Sequence, residues 1–278
     1  MNDNSLNKLL QIAIHASIEA GEKVMEVYNS ADVGVEYKSD NSPLTIADKK
    51  SNSVIMNYLR GEDIPVLSEE GKHHDYNDRK KWGFLWLVDP LDGTKEFIKK
   101  NGEFTINIAF IKGQSPLLGV VYVPDKKLLY FGALHLGSYR IYLKETKTYK
   151  GMNIKDIIAV SEKLPLPKVN TDVFTIVGSR SHMSEETLNF IEKAKVKYKN
   201  VDIVASGSAL KLCLVAEGSA DIYPRFGPTM EWDTAAGHCI AVAAGYEVTQ
   251  KDWTSPLVYN KNNLLNPWFI VKPKGFVI

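Results

Sequence analysis

Two aspartates three positions apart, Asp89 and Asp92, are the residues of this chain best suited to chemistry. They follow residues 84–88, a short apolar run rich in aromatic and β-branched side chains that predicts a buried strand. Because Pro90 has no N–H to donate to a sheet, we expect this strand to end at Asp89. Gly93 then permits a turn that a side chain would obstruct.

Two carboxylates at one strand end would face the same small space and repel each other. A divalent cation removes that repulsion, and an aspartate pair beside a backbone carbonyl is a donor set that suits Mg²⁺. The alternative is a turn in which Asp89 and Asp92 accept hydrogen bonds from nearby backbone N–H groups.

Three further acidic residues are placed where they could join this pair. Glu69 follows a short predicted strand, so neighbouring strands could bring it beside Asp89, although a polar loop is the alternative. Asp48 lies in the first turns of a predicted helix, where a negative charge is favourable. Asp233 precedes the small residues 235–237 and is expected to be the N-cap of another helix, whose N-terminus also attracts anions.

Composition limits the classes of function that need consideration. The 278 residues are 44% hydrophobic and 24% charged, as in ordinary soluble globular proteins. A formal net charge of +1 argues against nucleic-acid binding through a basic surface. Cys213 and Cys239 lie in apolar, helix-like stretches without metal-ligand spacing, which predicts buried free thiols in a reducing cytosol. With no signal or membrane-spanning segment, we expect a cytoplasmic protein.

The first half of the chain predicts helices followed by an antiparallel sheet. Residues 6–25 repeat apolar side chains at helical spacing, and residues 33–38 alternate as in an edge strand. A second helix is expected to start within residues 42–45, to turn Ile46 inward and to end at Gly61. Consecutive apolar runs then indicate antiparallel strands. These runs are residues 104–111, 117–123, 128–134 and 138–143.

The second half alternates strands with helices, which is typical of an α/β layer. The polar, lysine-rich segment 144–168 is the predicted boundary between two lobes. We therefore expect an N-terminal α+β lobe at residues 1–150 and a C-terminal α/β lobe at residues 151–278. The first lobe would contribute most of the acidic residues, and the second would contribute Asp233.

Three segments in this order, 68–70, 89–94 and 232–237, resemble the inositol-monophosphatase superfamily of Mg²⁺-dependent, lithium-inhibited phosphatases. The resemblance runs from the first helix to the C-terminus and implies a layered αβαβα sandwich. Other segments are similar to the branch of CysQ-type 3′(2′),5′-bisphosphate nucleotidases, and inositol phosphatases usually carry Thr-Asn where this chain has Lys95-Glu96. These other segments are residues 87–98, 101–105, 179–182, 207–211 and 223–228.

The resemblance implies a site for two or three Mg²⁺ ions. Asp89 would bridge two ions, the first shared with Glu69 and a backbone carbonyl, and the second with Asp92 and Asp233. The hydroxyl of Thr94 would accept a hydrogen bond from the attacking water and donate to Asp48, the ultimate general base. The implied metal ligands are Glu69, Asp89, the Leu91 carbonyl, Asp92 and Asp233.

The resemblance also implies contacts to a substrate with two phosphates. Backbone N–H groups of Gly93 and Thr94, with the N-terminus of the Asp233 helix, would bind one phosphate. Lys211 and Arg225 would bind the other, whereas the alternative makes them surface ion pairs. The expected substrate contacts are Glu69, Leu91, Asp92, Gly93, Thr94, His182 (toward the nucleotide), Ser208 (as a helix N-cap), Lys211, Arg225 and Asp233.

The implied reaction is hydrolysis of adenosine 3′,5′-bisphosphate to AMP and phosphate, which in the family removes a by-product of sulfate assimilation. The sulfated analogue is a further expected substrate. One alternative is an inositol-phosphate or sugar-phosphate phosphatase on the same scaffold. Another is a regulatory protein that binds Mg²⁺ and a nucleotide without turnover. The sequence leaves open the oligomeric state and a peripheral association with the cytoplasmic side of the inner membrane.

Overall fold

Helices and strands alternate through the computed structural model, which describes residues 1–30, 33–37, 43–72, 74–168, 172–178 and 183–278. The helices are α1 (Asp3–Tyr28), α2 (Ile46–Leu59), α3 (Tyr76–Arg79), α4 (Thr94–Ile98), α5 (Thr146–Tyr149), α6 (Ile154–Ala159), α7 (Glu185–Lys197), α8 (Leu210–Ala216) and α9 (Glu231–Ala243), and a 3₁₀ turn spans Arg60–Glu62.

A long sheet from the first half of the chain forms the centre of the structure, and smaller sheets come from the second half. The strands are β1 (Glu36–Tyr37), β2 (Pro43–Leu44), β3 (Val66–Ser68), β4 (Phe84–Asp92), β5 (Thr105–Lys112), β6 (Ser115–Val123), β7 (Leu128–Ala133), β8 (Gly137–Tyr142), β9 (Glu162–Lys163), β10 (Phe174–Gly178), β11 (Val201–Ala205), β12 (Tyr223–Arg225), β13 (Tyr246–Gln250) and β14 (Phe269–Pro273).

The central sheet has the strand order β3-β4-β5-β6-β7-β8-β9. Its first pair, β3 and β4, is parallel, and each later pair is antiparallel, so the expected antiparallel sheet is confirmed. Alternate side chains of a strand point to opposite faces. Trp86 and Val88 of β4 belong to the apolar core that includes residues of α1 and α2, whereas Leu85 and Leu87 belong to the core that includes residues of α8 and α9.

The helices and sheets stack in five layers. Helices α1 and α2 cover one face of the central sheet, and α8 and α9 cover the other. Beyond α8 and α9 lie the three-stranded sheet β12-β14-β13 and the parallel pair β10-β11, which an isolated bridge joins to each other. Helix α7 packs on the outer side, through Phe190 and Ile191. The αβαβα sandwich implied by the resemblance is therefore confirmed.

Several predicted boundaries differ from the structure. Strand β4 continues past Asp89 to Asp92, because a bulge between these residues leaves Pro90 out of the hydrogen-bond ladder. Residues 43–44 form a short strand, and α2 begins only after Thr45, which caps it. Ile46 is 41% exposed rather than inward, because the first turn of α2 is at the edge of the packed face.

Some expectations from the ends of elements also need correction. Gly61 lies inside the 3₁₀ turn that follows α2. Lys38 and residue 42, where a strand end and a helix start were expected, lie outside the described residues. Cys213 and Cys239 are buried free thiols, as expected. In the part of the chain that the structure describes, no helix is both long and apolar enough to cross a membrane.

The division into lobes at residue 150 stays a prediction. Strand β9, beyond that boundary, adds to the edge of the central sheet. Helix α9 also packs directly on β5 and β6, strands of the first half. The contact is close because Gly119 of β6 faces the backbone of Ala236, and a Cβ atom at Gly119 would overlap the carbonyl of Ala236.

We predict that Gly119→Ala lowers the free energy of unfolding by about 1–3 kcal/mol, because an added methyl group would push α9 away from β6. Urea unfolding followed by circular dichroism measures the loss. Gly83→Ala is the matched control, because nothing lies within 4 Å of a Cβ atom at Gly83. Equal stability of the Gly119 variant and the wild type would contradict the direct packing of α9 on the sheet.

Candidate active site

The bulge in β4 places two carboxylates at the end of the central sheet. Asp89 is opposite Asn107 of β5 and Asp92 is opposite Thr105, with a register shift between them. Asp89 Oδ1 accepts a hydrogen bond of 3.0 Å from the Leu91 N–H, which fixes the turn. The alternative of simple backbone hydrogen bonding is thus partly correct for Asp89, and it leaves the second carboxylate oxygen available.

Helix α2 is attached to the same bulge. The buried Ser51 hydroxyl donates a hydrogen bond of 2.6 Å to the carbonyl of Pro90. Because Pro90 is out of the ladder, its carbonyl can accept from a side chain of the neighbouring layer. The bulge is therefore held from the α2 side as well as by β5.

Parallel pairing brings Glu69 beside Asp89, as the sequence predicts. Ser68 of β3 is opposite Val88 of β4, and the Glu69 N–H donates a hydrogen bond of 3.1 Å to the Val88 carbonyl. Glu69 and Asp89 are thus the residues that come directly after the paired Ser68 and Val88 on neighbouring strands. Asp89 lies on the α9 face of β4, since Leu85 and Leu87 pack in the core on that side.

Helix α9 contributes the third carboxylate of a cluster. One carboxylate oxygen from each of Glu69, Asp89 and Asp233 lies within 4.8 Å of the other two. The expectation that Asp233 is the N-cap is wrong: Met230 is the N-cap, and Asp233 is the third helical residue. Its Oδ2 accepts a hydrogen bond of 2.9 Å from the Met230 N–H, which is the backbone half of a capping box.

The N-terminus of α9 has less capacity for an anion than expected. The Glu231 N–H donates to the carbonyl of Leu264 at 3.0 Å, and the Asp233 N–H donates to Met230 at 3.3 Å. These two donors are therefore already satisfied by backbone carbonyls.

The cluster concentrates negative charge in a buried place. Burial, with the charges of neighbouring carboxylates, raises the pKa of Asp89 and of Asp233 well above the usual range. Burial likewise raises the pKa of Asp92 to about 6, against the opposing effect of the Lys211 charge. Among the described residues, no lysine or arginine forms an ion pair with Asp89, Asp92 or Asp233.

This donor set fits a hard divalent cation. It offers carboxylate oxygens, which Mg²⁺ prefers, and the Leu91 carbonyl lies in the same bulge. A cation would also remove the mutual repulsion that raises the pKa values. The structure brings Glu69, Asp89 and Asp233 into one cluster, and Leu91 and Asp92 lie in the adjoining bulge. That these five residues are metal ligands, as the resemblance implies, stays a prediction.

Asp48 and Thr94 are in contact at the edge of this cluster. Asp48 is the third residue of α2, and Thr94 begins α4 directly after the bulge. The Thr94 hydroxyl lies 3.3 Å from Asp48 Oδ1 and 3.4 Å from the Leu91 carbonyl. Asp48 Oδ2 accepts hydrogen bonds from the N–H and the hydroxyl of Thr45, at 2.7 and 2.6 Å. Burial raises the pKa of Asp48 despite these hydrogen bonds.

A cleft of about 990 Å³ extends from the carboxylates toward two cations, Lys211 and Arg225. Lys211 lies in α8 with a buried side chain, and its Nζ donates to the carbonyls of Ser206 and Ser208 at 3.3 and 2.8 Å. Burial lowers the pKa of Lys211 to about 8, although Asp92 opposes that effect.

Arg225 ends β12 on the same cleft. Its Nη2 donates to the Pro228 carbonyl at 2.8 Å, whereas its buried Nε has no hydrogen-bond partner within the described residues. An unpartnered buried donor points to a ligand. Lys211 is buried, and neither Lys211 nor Arg225 forms an ion pair with another described residue, which argues against ordinary surface ion pairs.

Ser208 is in the site with a different role from the expected one. Ala209 is the N-cap of α8, and the Ser208 hydroxyl instead lies 2.9 Å from the Asp92 carbonyl and 2.7 Å from the Glu103 carbonyl, between which it shares its single proton. This hydroxyl lies so close to Gly93 that a Cβ atom there would overlap it, and Gly93 has a φ of 89°. Ser208 therefore joins the loop before α8 to the bulge.

Two parts of the site need separate mention. His182 and the rest of segment 179–182 lie outside the described residues, so a nucleotide contact from His182 stays a prediction. The sequence reasoning missed Asn107, whose Nδ2 lies 3.5 Å from Asp92 Oδ2. A polar residue within the apolar run 104–111 was the available signal, because buried polar groups need partners.

We predict that the metal-free protein loses stability as the pH rises. Because the folded-state pKa of Asp92, about 6, exceeds the ordinary value of 3.8, stability is fully present below the ordinary pKa and is lost as the pH passes the folded-state value. In EDTA, urea unfolding should give a free energy lower by about 2 kcal/mol or more at neutral pH than at about pH 5.

Asp92→Asn should remove part of this pH dependence, and Mg²⁺ should restore stability at neutral pH. Glu192→Gln is the control, because Glu192 is exposed on α7. A metal-free protein whose stability is independent of pH in this range would contradict the raised carboxylate pKa values.

Comparison with known proteins identifies relatives along almost the whole chain. The 3′(2′),5′-bisphosphate nucleotidase CysQ of Salmonella typhimurium is 43% identical over 269 residues, covering 95% of this chain and 99% of that protein. The crystal structure of CysQ from Bacteroides thetaiotaomicron, a bacterial member of the inositol monophosphatase family, is 50% identical with a TM-score of 0.88 and covers 97% of this chain and 98% of that one.

A more distant structure shares the fold. The Thermotoga maritima inositol monophosphatase is 22% identical with a TM-score of 0.66, over 97% of this chain and 92% of that one. The model of the inositol monophosphatase family, whose members are metal-dependent, matches residues 5–269. This chain therefore belongs to the inositol monophosphatase family.

Proposed function

We propose that this chain is a Mg²⁺-dependent 3′(2′),5′-bisphosphate nucleotidase that hydrolyses adenosine 3′,5′-bisphosphate to AMP and phosphate. The observation that carries this proposal is one cleft whose wall includes Asp92 and Asp233 of the acidic site and, elsewhere, Lys211 and Arg225. A substrate with two phosphates could place one at the metal ions and the other against these cations. Relatives that bear this activity in their names support the same assignment.

The carboxylates and one carbonyl would hold two or three Mg²⁺ ions. The groups that would hold these ions are Glu69, Asp89, the Leu91 carbonyl, Asp92 and Asp233. When bound, Mg²⁺ polarises the phosphate, makes a water more acidic and neutralises the charge of the leaving oxygen.

Thr94 and Asp48 would orient the attacking water. Since the Thr94 hydroxyl donates toward Asp48, its oxygen is free to accept a hydrogen bond from water. As the water attacks phosphorus, Thr94 takes its proton and gives its own proton to Asp48. The two hydrogen bonds from Thr45 hold the Asp48 carboxylate in the orientation that this transfer requires.

The backbone after the bulge would bind the phosphate that is cleaved. The positive φ of Gly93 turns the chain into α4, so the N–H groups of Gly93 and Thr94 follow the carboxylates directly. Such donors stabilise the charge on phosphate oxygens without reorganisation during the reaction.

Lys211 and Arg225 would select the second phosphate. Lys211 uses two of its three ammonium donors on described carbonyls, and Arg225 has an unpartnered buried Nε. A phosphate dianion near Lys211 would raise the lowered pKa of this group and keep it charged. These contacts predict a higher affinity for a substrate with two phosphates than for a monophosphate.

The alternatives have less support. An inositol-phosphate or sugar-phosphate phosphatase would use the same carboxylates, but a monophosphate would leave the Lys211 and Arg225 donors without an anion. A regulatory protein without turnover would have no need for the contact between Thr94 and Asp48. The phosphate-release assay described below also tests whether the sulfated nucleotide is hydrolysed.

We predict that adenosine 3′,5′-bisphosphate is the preferred substrate among three phosphate esters. Phosphate release should show a kcat/KM at least about 100-fold higher than with inositol 1-phosphate or fructose 1,6-bisphosphate, because inositol 1-phosphate has no second phosphate for Lys211 and Arg225 and the two phosphates of fructose 1,6-bisphosphate have a different spacing. Activity should require Mg²⁺ and fall with Li⁺, and chromatography should identify AMP as the product.

The variant Asp89→Asn should reduce activity to background while circular dichroism shows an intact fold, because the exchange conserves shape and removes charge. Rates with inositol 1-phosphate that equal or exceed those with the nucleotide would contradict the proposed substrate. An active Asp89→Asn variant would contradict the metal site.

We predict that Lys211→Met raises KM for adenosine 3′,5′-bisphosphate by about 10- to 100-fold, because a charge-assisted hydrogen bond to phosphate is lost. KM for a nucleoside monophosphate substrate such as 2′-AMP should change by less than about threefold if Lys211 binds only the second phosphate. Lys95→Met is the control for removing a lysine charge from the cleft, because Lys95 lies in another part of its wall. Equal effects on both substrates would place Lys211 outside the second-phosphate subsite.

A further inference from the structure

Arg79 is a buried arginine that joins two distant segments. It is 2% exposed, and its Nε donates to the His74 carbonyl at 3.1 Å. Its Nη1 donates to Asn260 Oδ1 at 2.9 Å and to the Lys261 carbonyl at 3.1 Å. The guanidinium thus connects the loop that follows Glu69 with the segment after β13.

The side-chain amide of Asn260 also donates a hydrogen bond to Arg79. Its Nδ2 donates to the Arg79 carbonyl at 2.9 Å, so the two side chains are joined in both directions. Asn260 has a φ of 55°, a conformation that favours Asn or Gly. Its backbone N–H donates to a residue of α9.

Glu231, the first residue of α9, receives that N–H. Its Oε2 accepts from the Asn260 N–H at 2.6 Å, and its Oε1 accepts from the Lys261 N–H at 3.0 Å and from Lys261 Nζ at 2.5 Å. Glu231 has no exposed surface, although Asp233, two residues later, is in the carboxylate cluster. The cluster itself does not use Glu231.

From these contacts, we infer that the Arg79–Asn260–Glu231 network positions Asp233 relative to Glu69 and thereby sets the affinity for Mg²⁺. The network is a chain of hydrogen bonds from the loop after Glu69 to the first turn of α9. This inference rests on the metal site of the proposed function. Arg79, Asn260 and Glu231 are positioning residues, since none of them is part of the carboxylate cluster.

The need for such a network comes from repulsion. Without a cation, the charges of Asp92 and Glu69 act against Asp233, whose side chain is held at the first turn of α9 by the hydrogen bond from the Met230 N–H. Movement of the first turn of α9 would relieve this repulsion and spread the ligands. Hydrogen bonds to Glu231 from a segment that is tied to Arg79 oppose that movement, so the carboxylates of the metal site stay close together.

Three variants separate the contributions of the network. Glu231→Gln conserves shape, but it replaces one acceptor by a donor facing backbone N–H groups. Arg79→Lys keeps the charge and loses the forked hydrogen bonds. Asn260→Gly keeps the left-handed backbone and the N–H to Glu231, and it removes only the bridge to Arg79.

Calorimetric titration of each substrate-free protein with Mg²⁺ measures the affinity directly. We expect the Kd for Mg²⁺ to rise about 10- to 100-fold in the Glu231 and Arg79 variants and less in Asn260→Gly, with unchanged stoichiometry. A purely structural role would lower the fraction of protein that binds and leave Kd unchanged. With saturating Mg²⁺, kcat should return to within about threefold of the wild-type value, because these residues do not touch the substrate.

Glu217→Gln is the matched control, because Glu217 is another buried carboxylate that accepts from an arginine, Arg140, and it lies at the far end of α8. Its Kd for Mg²⁺ should equal the wild-type value. Wild-type Kd in folded Glu231→Gln, Arg79→Lys and Asn260→Gly would overturn the inference.

Failure of the proposed function gives a different result from failure of the network. A wild-type protein that binds Mg²⁺ without hydrolysing the nucleotide would refute the function and leave the comparison of Kd values decisive. A wild-type protein that binds no Mg²⁺ would overturn both.

Discussion

Repulsion between buried carboxylates is the constraint on which the rest of this structure depends. Asp89, Asp92 and Asp233 have raised pKa values because burial removes the water that would stabilise their charges, and because neighbouring carboxylates, Glu69 among them, add their own negative charge. A protein tolerates such a group only where the surrounding hydrogen bonds hold it and a ligand offsets its charge. Each major element of the fold contributes one of these restraints.

The layers distribute these restraints among independent contacts. Strand β5 and helix α2 hold the bulge from two sides, and β3 brings Glu69 into register by parallel pairing. Helix α9 approaches from the opposite layer and can do so because Gly119 leaves room for its backbone. The site therefore lies where a sheet end and two helix starts meet, and no single segment could form it alone.

Local patterns in the sequence predict much of this arrangement. The apolar runs identify the strands of the central sheet, and the acidic residues Glu69, Asp89 and Asp233 that the sequence singles out do form one cluster in the structure. Strand ends and helix starts are less predictable because they depend on partners distant in sequence. The bulge at Pro90 requires β5 and Ser51, and the place of Asp233 depends on Met230 as the N-cap. Ser208 is similar, since only the folded chain shows that its hydroxyl joins two loops.

The close approach of Ser208 to Gly93 has a consequence for recognition. The loop before α8 is bonded to the backbone of Asp92, and the same loop supplies the carbonyls that hold the Lys211 ammonium. The distance from the bulge to that cation is therefore fixed by backbone contacts rather than by mobile side chains. Under the proposed function, the cleft therefore selects ligands by the separation of their two phosphates. An isomer with the same charge and a different spacing could place only one phosphate in its subsite.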